Sequence, residues 1–350
     1  MWSQFNHLFS FAWSFLITIL AIPAVIHVAR EQQLFDQPND RKMHHSLIPR
    51  LGGVAIFAGF MSAITIFGNL ETNEGIQYVL AGCILVFLIG LRDDVRPVSP
   101  FKKFFVQIVA AGIIMFVGDI RITSFQGIMG INELSHGSSY MFTFLVIIGI
   151  TNAINLIDGL DGLAGSIVLI ITCFFGFYFY QSGSPYASVA FSLAGGMIGF
   201  LRYNLNKAII FMGDTGALVS GLIISVLAIK FIELKPVASS PALAVAILII
   251  PIMDTLRVFT IRVIHGRSPF IADKNHLHHK FIALGFSPLQ AVIMLISINV
   301  FCVAIISNLS YLGSFINLIL LASFAVIFSL ALEFDRFIIE KKPDDKKIRM

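Results

Sequence analysis

The sequence predicts an all-α, multi-pass membrane protein with about eleven transmembrane helices, its N-terminus outside and its C-terminus cytosolic. Three observations carry that prediction. Of 350 residues, 57% are hydrophobic and only 13% are charged, with a mean hydropathy of +0.87. Soluble domains run near half apolar and a quarter charged, so the composition itself points to lipid. The apolar residues fall into discrete runs of membrane-spanning length, and the basic residues gather on alternate connections.

Spanning a bilayer core takes roughly 20 apolar residues, fewer where neighbouring helices shield the ends. Runs of that kind occupy 8–29, 51–69, 77–91, 102–118, 140–157, 163–181, 185–202, 215–233, 240–262, 288–307 and 312–333. With the N-terminus outside, the segments Arg30–Arg50, Arg92–Lys103, Arg202–Lys207, Arg257–Lys280 and the tail after Phe334 become cytosolic. They hold 21 of the 24 Lys and Arg residues; Arg121, Lys230 and Lys235 are the exceptions. Asymmetry of that size sets topology. Residues 1–335 are therefore expected to form one membrane domain and 336–350 a charged cytosolic tail that grips the anionic leaflet. The start of the sequence lacks a basic n-region and a small-residue cleavage site, so the first run is expected to be a retained helix. The outside segment 119–139 alternates Ile120, Ile122, Ser124 and Phe125 in a manner that suits a small hairpin. Cys83, Cys173 and Cys302 stand alone inside apolar runs and form no disulfide or metal framework. A net charge of +4 does not indicate nucleic-acid binding, because no basic, aromatic-interleaved soluble module accompanies it.

The cytosolic segments are where the polar chemistry collects. After the first run stand Asp36, Pro38, Asn39, Asp40, Arg41, Lys42, His44 and His45, followed by Pro49-Arg50-Leu51-Gly52-Gly53. Arg41, Lys42 and His44 suit phosphate groups, and Gly52-Gly53 allows close backbone approach. A positive-inside flank accounts for the same residues. After the third run, Asp93 and Asp94 repel each other unless a cation or proton compensates, which suits a divalent metal or a general base. A solvated turn is the plainer reading.

Asn152, Asn155, Asp158 and Asp161 recur every three residues where the fifth run ends. No Lys or Arg lies in that stretch to pair with them, and Gly159 and Gly162 are expected to break the helix so that the later carboxylates turn back. Phe211-Met212-Gly213-Asp214-Thr215-Gly216 supplies a carboxylate, a hydroxyl and exposed N–H groups at a helix start, suited to a metal–phosphate pair or to a plain N-cap. The last cytosolic segment holds His276, His278 and His279 between Lys274 and Lys280. This is not zinc spacing, and it suits an anionic phosphate better. Asp254 and Arg257, three apart, are expected to pair with each other.

In their order, D-x-P-x-x-R-K-x-H with P-R-L-G-G, D-D with a downstream Lys, N-x-x-N-x-x-D-G-x-D-G, F-M-G-D-x-G and H-x-H-H resemble one family over nearly the whole chain. It is the polyprenyl-phosphate N-acetylhexosamine-1-phosphate transferases, in particular the WecA/TagO-like branch. The resemblance implies a UDP-N-acetylhexosamine donor, with UDP-GlcNAc the default, and undecaprenyl phosphate as acceptor. It also implies Mg²⁺, with Mn²⁺ as a substitute, and a cytosol-facing site in the plasma membrane; homodimerisation is left open. Asn155 and Asp214 would hold the metal. Asp93 and Asp94 would position or deprotonate the lipid phosphate, and Asp158 and Asp161 match acids of nucleotide binding or catalysis. Asn152, Lys103, His276, His278 and His279 fall on the substrate side. Lys207 stands where Pro is usual and Ala217 where Ser is common, which touches only local loop geometry. An uninterrupted histidine triplet marks the related MurNAc-pentapeptide transferases; Leu277 breaks it here. Among other classes, an ion-coupled transporter would carry its acids near helix midplanes. The CDP-alcohol phosphotransferase signature fails, because Gly165 stands in place of its Arg.

Overall fold

The computed structural model describes residues 5–34, 48–68, 74–268 and 275–341, with side chains to residue 333. All eleven apolar runs are helical. The first three helices are α1 (Asn6–Glu31), α2 (Gly52–Phe67) and α3 (Ile76–Val95). Helix α4 (Pro100–Gly112) continues as a π-helical turn over Ile113–Val117, and the expected hairpin follows as β1 (Ser124–Ile128) and β2 (Ile131–Glu133). Next come α5 (His136–Leu156), α6 (Leu163–Gln181), α7 (Tyr186–Asn204) and α8 (Gly213–Leu234). The chain closes with α9 (Ser240–Ile247), α10 (Ile249–Ile264), α11 (Leu277–Ala283), α12 (Pro288–Asn308) and α13 (Gly313–Lys341). Among the described residues, eight helices are long and apolar enough to cross a membrane, or nine if the bent pair α9–α10 counts as one span. Apart from one hairpin, this is an all-α polytopic membrane protein.

The run read as a single helix over 240–262 is broken by a bend of 75° between α9 and α10. Carbonyls freed at such a break need donors. Asn299 of α12, fully buried, supplies one: its Nδ2 donates to Ile247 O at 3.0 Å.

Helix α8 lies at the centre, with 78% of its membrane window buried, whereas α1 and α4 leave most of their surface to lipid. Glycines let its neighbours close in. A Cβ on Gly53 of α2 would lie 2.1 Å from the Gly216 nitrogen, and one on Gly90 of α3 would lie 2.6 Å from Thr215 Cα. The close approach read from Gly52-Gly53 is thus made to another helix. Backbone bonds reinforce it: Gly52 N donates to Phe211 O and Gly53 N to Met212 O, each at 2.9 Å, and Phe211 N donates to Pro49 O at 2.8 Å. The hairpin caps the other end of α8, where Thr123 N and Oγ1 donate to Glu233 at 2.8 and 2.6 Å. An open polar cavity of about 840 Å³ under this hairpin, lined by Arg121, Gln126, Asn132 and Lys235, is at the end of α8 opposite Asp214.

Candidate active site

The start of α8 organises the polar cluster. Asp214 sits in its first turn, and no side chain of its own segment caps the helix. The cap comes from α3. Asp94 accepts from Asp214 N at 2.8 Å, Thr215 N at 3.0 Å and Thr215 Oγ1 at 2.5 Å. A carboxylate satisfying orphan N–H groups at a helix start also complements the helix dipole. The local N-cap expected from Asp214 and Thr215 is therefore replaced by one supplied across the interface. Asp93 and Asp94 stand on the last turn of α3, not in a solvated turn, and they diverge. Asp93 accepts from Val98 N at 2.6 Å and from Lys103 Nζ at 3.1 Å.

Lys103 of α4 joins the two halves of the cluster. Its ammonium also donates to Asp214 Oδ2 at 2.7 Å, so one cation bridges two carboxylates from different helices.

Asp158 faces the same cluster. Helix α5 ends at Leu156, and the chain turns through Gly162 at φ +76° before α6, as the glycine pattern predicts. Burial pushes the Asp158 carboxyl up to about 7, the charges of Asp214 and Asp94 add to the rise, and Arg50 opposes it. Arg50 belongs to the segment zipped onto Phe211–Met212. Gly213 is equally constrained: at φ +70°, a Cβ would lie 2.1 Å from Arg50 O and 2.6 Å from Asp94 Oδ2.

Other expected site residues hold the frame. Asp161 accepts from Ala208 N at 2.9 Å, and next to it Gly162 N donates to Asn204 Oδ1 at 2.8 Å. Asn204 Nδ2 reaches Ile210 O at 2.9 Å, so this pair fixes the loop leading into Phe211–Asp214. That loop turns through Asn206 and Lys207 at φ +57° and +74°, which a proline at 207 could not adopt. Asn152 donates to Gln107 Oε1 at 2.8 Å, binding α5 to α4. Asn155 lies half-buried on the last turn of α5.

The histidine segment closes over the Asp158 turn: a Cβ on Gly159 would lie 2.8 Å from His278 Nε2. Burial, with His279 adding to the effect, pushes the His278 ring down to about 3, so it is neutral at physiological pH. His276, His278 and His279 form a run of neighbouring rings, with centroids 5.8 and 4.2 Å apart. Asp254 and Arg257 do not pair with each other. Asp254 accepts from His276 Nδ1 and Leu277 N, both at 2.7 Å. Arg257 donates to Asn275 O and to Glu333 of α13, and Lys280 donates to Glu333 Oε2 at 3.0 Å. Arg41, Lys42 and His44 lie outside the described residues.

Two of the motifs matched above, the Asp-Asp pair on α3 and Gly-Asp-Thr-Gly on α8, meet in one hydrogen-bonded unit. The profile of glycosyl transferase family 4 matches residues 76–232, which include both. A probable undecaprenyl-phosphate N-acetylglucosaminyl 1-phosphate transferase of Bacillus subtilis (strain 168) is 32% identical over 324 residues, 91% of this chain and 90% of the relative. The chain belongs to that transferase family. A decaprenyl-phosphate N-acetylglucosaminephosphotransferase of Mycolicibacterium smegmatis is 33% identical over 74% of this chain and 71% of its own length. The undecaprenyl-phosphate alpha-N-acetylglucosaminyl 1-phosphate transferase of Escherichia coli (strain K12) is 29% identical over 80% and 78%.

Family membership implies a divalent cation, and the donor set can be tested against it. Among the described residues, no three His, Cys, Asp or Glu side chains form a ready-made metal cage. Mg²⁺ does not need one: it is held by one or two carboxylates with waters and substrate phosphates. Asp214 at the helix start, with the Asp158 carboxyl within its electrostatic reach, supplies carboxylates in the number such an ion takes. The residues fit the ion.

Proposed function

We propose that the chain transfers N-acetylglucosamine-1-phosphate from UDP-GlcNAc to undecaprenyl phosphate, releasing UMP and a lipid-diphosphate sugar that begins a cell-envelope polysaccharide. The observation that carries this reading is Lys103 spanning Asp93 and Asp214, in a cluster completed by Asp158. Phosphoryl transfer asks mainly for charge neutralisation and in-line positioning, and a lysine held among carboxylates that can take a metal supports that reading. Asn155 and Asp214 would hold Mg²⁺, which when bound neutralises the donor diphosphate and the departing UMP.

The chain's own residues do the rest. Asp94 keeps Asp214 at the tip of α8. Lys103, already poised beside Asp214, would exchange its carboxylate partners for phosphate oxygens when the donor enters. The acceptor phosphate oxygen attacks the sugar-bearing phosphorus while the bond to UMP breaks, one phosphoanhydride replacing another, most simply in one step. Asp93, released from Lys103, would take up a proton from the acceptor phosphate. Neutral His278 and its neighbours would close over the donor and keep water out.

The polyprenyl chain has a fitting berth. An apolar groove of about 490 Å³ runs along α5 from Phe142 to Ala153, walled by Val245, Leu248 and Ile252 of the bent pair. Its α5 wall stops two residues short of Asn155. Eleven spans with the N-terminus outside would put the acids at the cytosolic face of the plasma membrane, in keeping with the basic-residue asymmetry.

The test is a membrane assay with undecaprenyl phosphate and a panel of UDP-sugars, scoring UMP release with and without Mg²⁺. Turnover with UDP-GlcNAc that chelation abolishes and Asp214→Ala removes is the expected result. No turnover with any UDP-N-acetylhexosamine would sink the substrate assignment. Mg²⁺-dependent release by the Asp214→Ala protein would sink the metal site.

A further inference from the structure

Asp254 lies within α10, 1% exposed, and is not one of the acids of the cluster described above. A carboxylate buried to that degree is costly unless both oxygens are satisfied. Here they are: Oδ1 takes Leu277 N and Oδ2 takes His276 Nδ1, both at 2.7 Å. A carboxylate can only accept, so the proton lies on His276 Nδ1. The bond made by one ring nitrogen determines what the other can do. With Nδ1 committed to Asp254, Nε2 is the nitrogen left to accept from, or donate to, a ligand.

The surroundings make this an aimed arrangement. Arg257, one turn along the same helix, holds Asn275 O, the carbonyl just before His276. Glu333 of α13 takes both Arg257 and Lys280, which lie on either side of the histidines. The segment is therefore clasped from two helices before and after His276. The His276 ring itself is 5.8 Å from His278, whose Nε2 rests against Gly159 beside Asp158.

We propose that Asp254 is a positioning residue for the transfer reaction: it holds the proton on His276 Nδ1 and so presents Nε2 to the phosphate-bearing substrate. A plainer role, capping α11 through Leu277 N alone, predicts different results. Asp254→Asn keeps the size of the side chain and one acceptor oxygen, but its amide can donate to Nδ1 and impose the other tautomer. If Asp254 acts through His276, kcat falls roughly 10- to 100-fold, the scale on which removing the hydrogen-bond partner of a metal-bound histidine acts. KM for the donor and the thermal midpoint in detergent then stay near wild type. In a His276→Gln background the same substitution has no further effect on kcat. A pure cap gives a lowered midpoint and losses that multiply across the two backgrounds, which would overturn the proposal.

A second measurement does not require the Asp254 variant to fold. In wild-type protein labelled with ¹⁵N in its histidine rings, the signals missing from His276→Gln belong to His276. They are expected to show a protonated Nδ1; an unprotonated Nδ1 overturns the assignment. This spectroscopic arm holds or fails whatever the substrate is. Only the kinetic arm rests on the sugar-phosphate transfer reading, so failure of that reading and failure of this one are distinguishable.

Discussion

Replacing Asp94 by Asn separates a structural acid from a reacting one. Asp94 accepts three hydrogen bonds at the start of α8, from Asp214 N, Thr215 N and Thr215 Oγ1. An Asn in the same rotamer keeps one oxygen and turns the other into a donor, which must face either the Asp214 N–H or the Thr215 pair. At least one bond is lost. Hydrogen bonds to a charged group contribute about 1.5–3 kcal/mol each, so about 2 kcal/mol is a fair central value. That corresponds to roughly 30-fold in an equilibrium constant. The first turn of α8 then frays, and Asp214 is correctly placed in a smaller fraction of molecules. The expected readout is a weakening of apparent Mg²⁺ affinity by up to roughly 30-fold, with turnover recovering at saturating Mg²⁺. Thr215→Val, which removes only the hydroxyl, should move the same way by less. The reasoning is refuted if Asp94→Asn melts at the wild-type temperature and binds Mg²⁺ normally, yet turns over at no concentration. Asp94 would then act on the reacting atoms, the base role open to it from sequence.

Two further perturbations test the frame. Gly53→Ala puts a Cβ 2.1 Å from the Gly216 nitrogen, which is backbone and cannot move aside, whereas Gly137→Ala meets nothing within 4 Å. Size-exclusion profiles in detergent should show the first lost or aggregated and the second unchanged. The His278 ring, pushed down to about 3, binds its proton less readily than an unfolded His with a pKa near 6.5. Between those values the unfolded chain holds more protons, so stability falls as pH drops through that window and is fully present above it. His278→Gln should flatten that acid loss in melting curves recorded from pH 4 to 7.

The spans were legible because a lipid-facing helix has nowhere to hide a polar run, and every apolar stretch proved helical. The α9–α10 break has one local mark, Pro251, which has no N–H for Ile247 O four residues earlier and whose ring crowds that carbonyl. That Asn299, on a helix distant in sequence, supplies the missing donor was not legible. The acids were visible as motifs, but their geometry was not. Sequence spacing put Asp93 and Asp94 side by side as repelling charges, while the fold sends them to different donors. Asp254 and Arg257 looked like a helical pair at three-residue spacing, yet each turned to a loop or a helix further along. Gln107, Asn204 and Glu333 carried no local signal, since each matters only through a partner from another element. Short-range pattern tells which side chains must be satisfied. It does not tell by whom.

The zip between Pro49–Gly53 and Phe211–Met212 has a consequence for how the protein is made. One strand of it emerges from the ribosome with the second helix and the other only just before the eighth, and the histidine segment follows later still. Until then Asp94 of the third helix has neither its backbone partners at Asp214 and Thr215 nor its cover. Assembly is thus the closing of a ring late in synthesis, and a nascent chain stalled before residue 211 inserts its helices without acquiring a phosphate-binding centre. An incomplete chain in the membrane would therefore be inert.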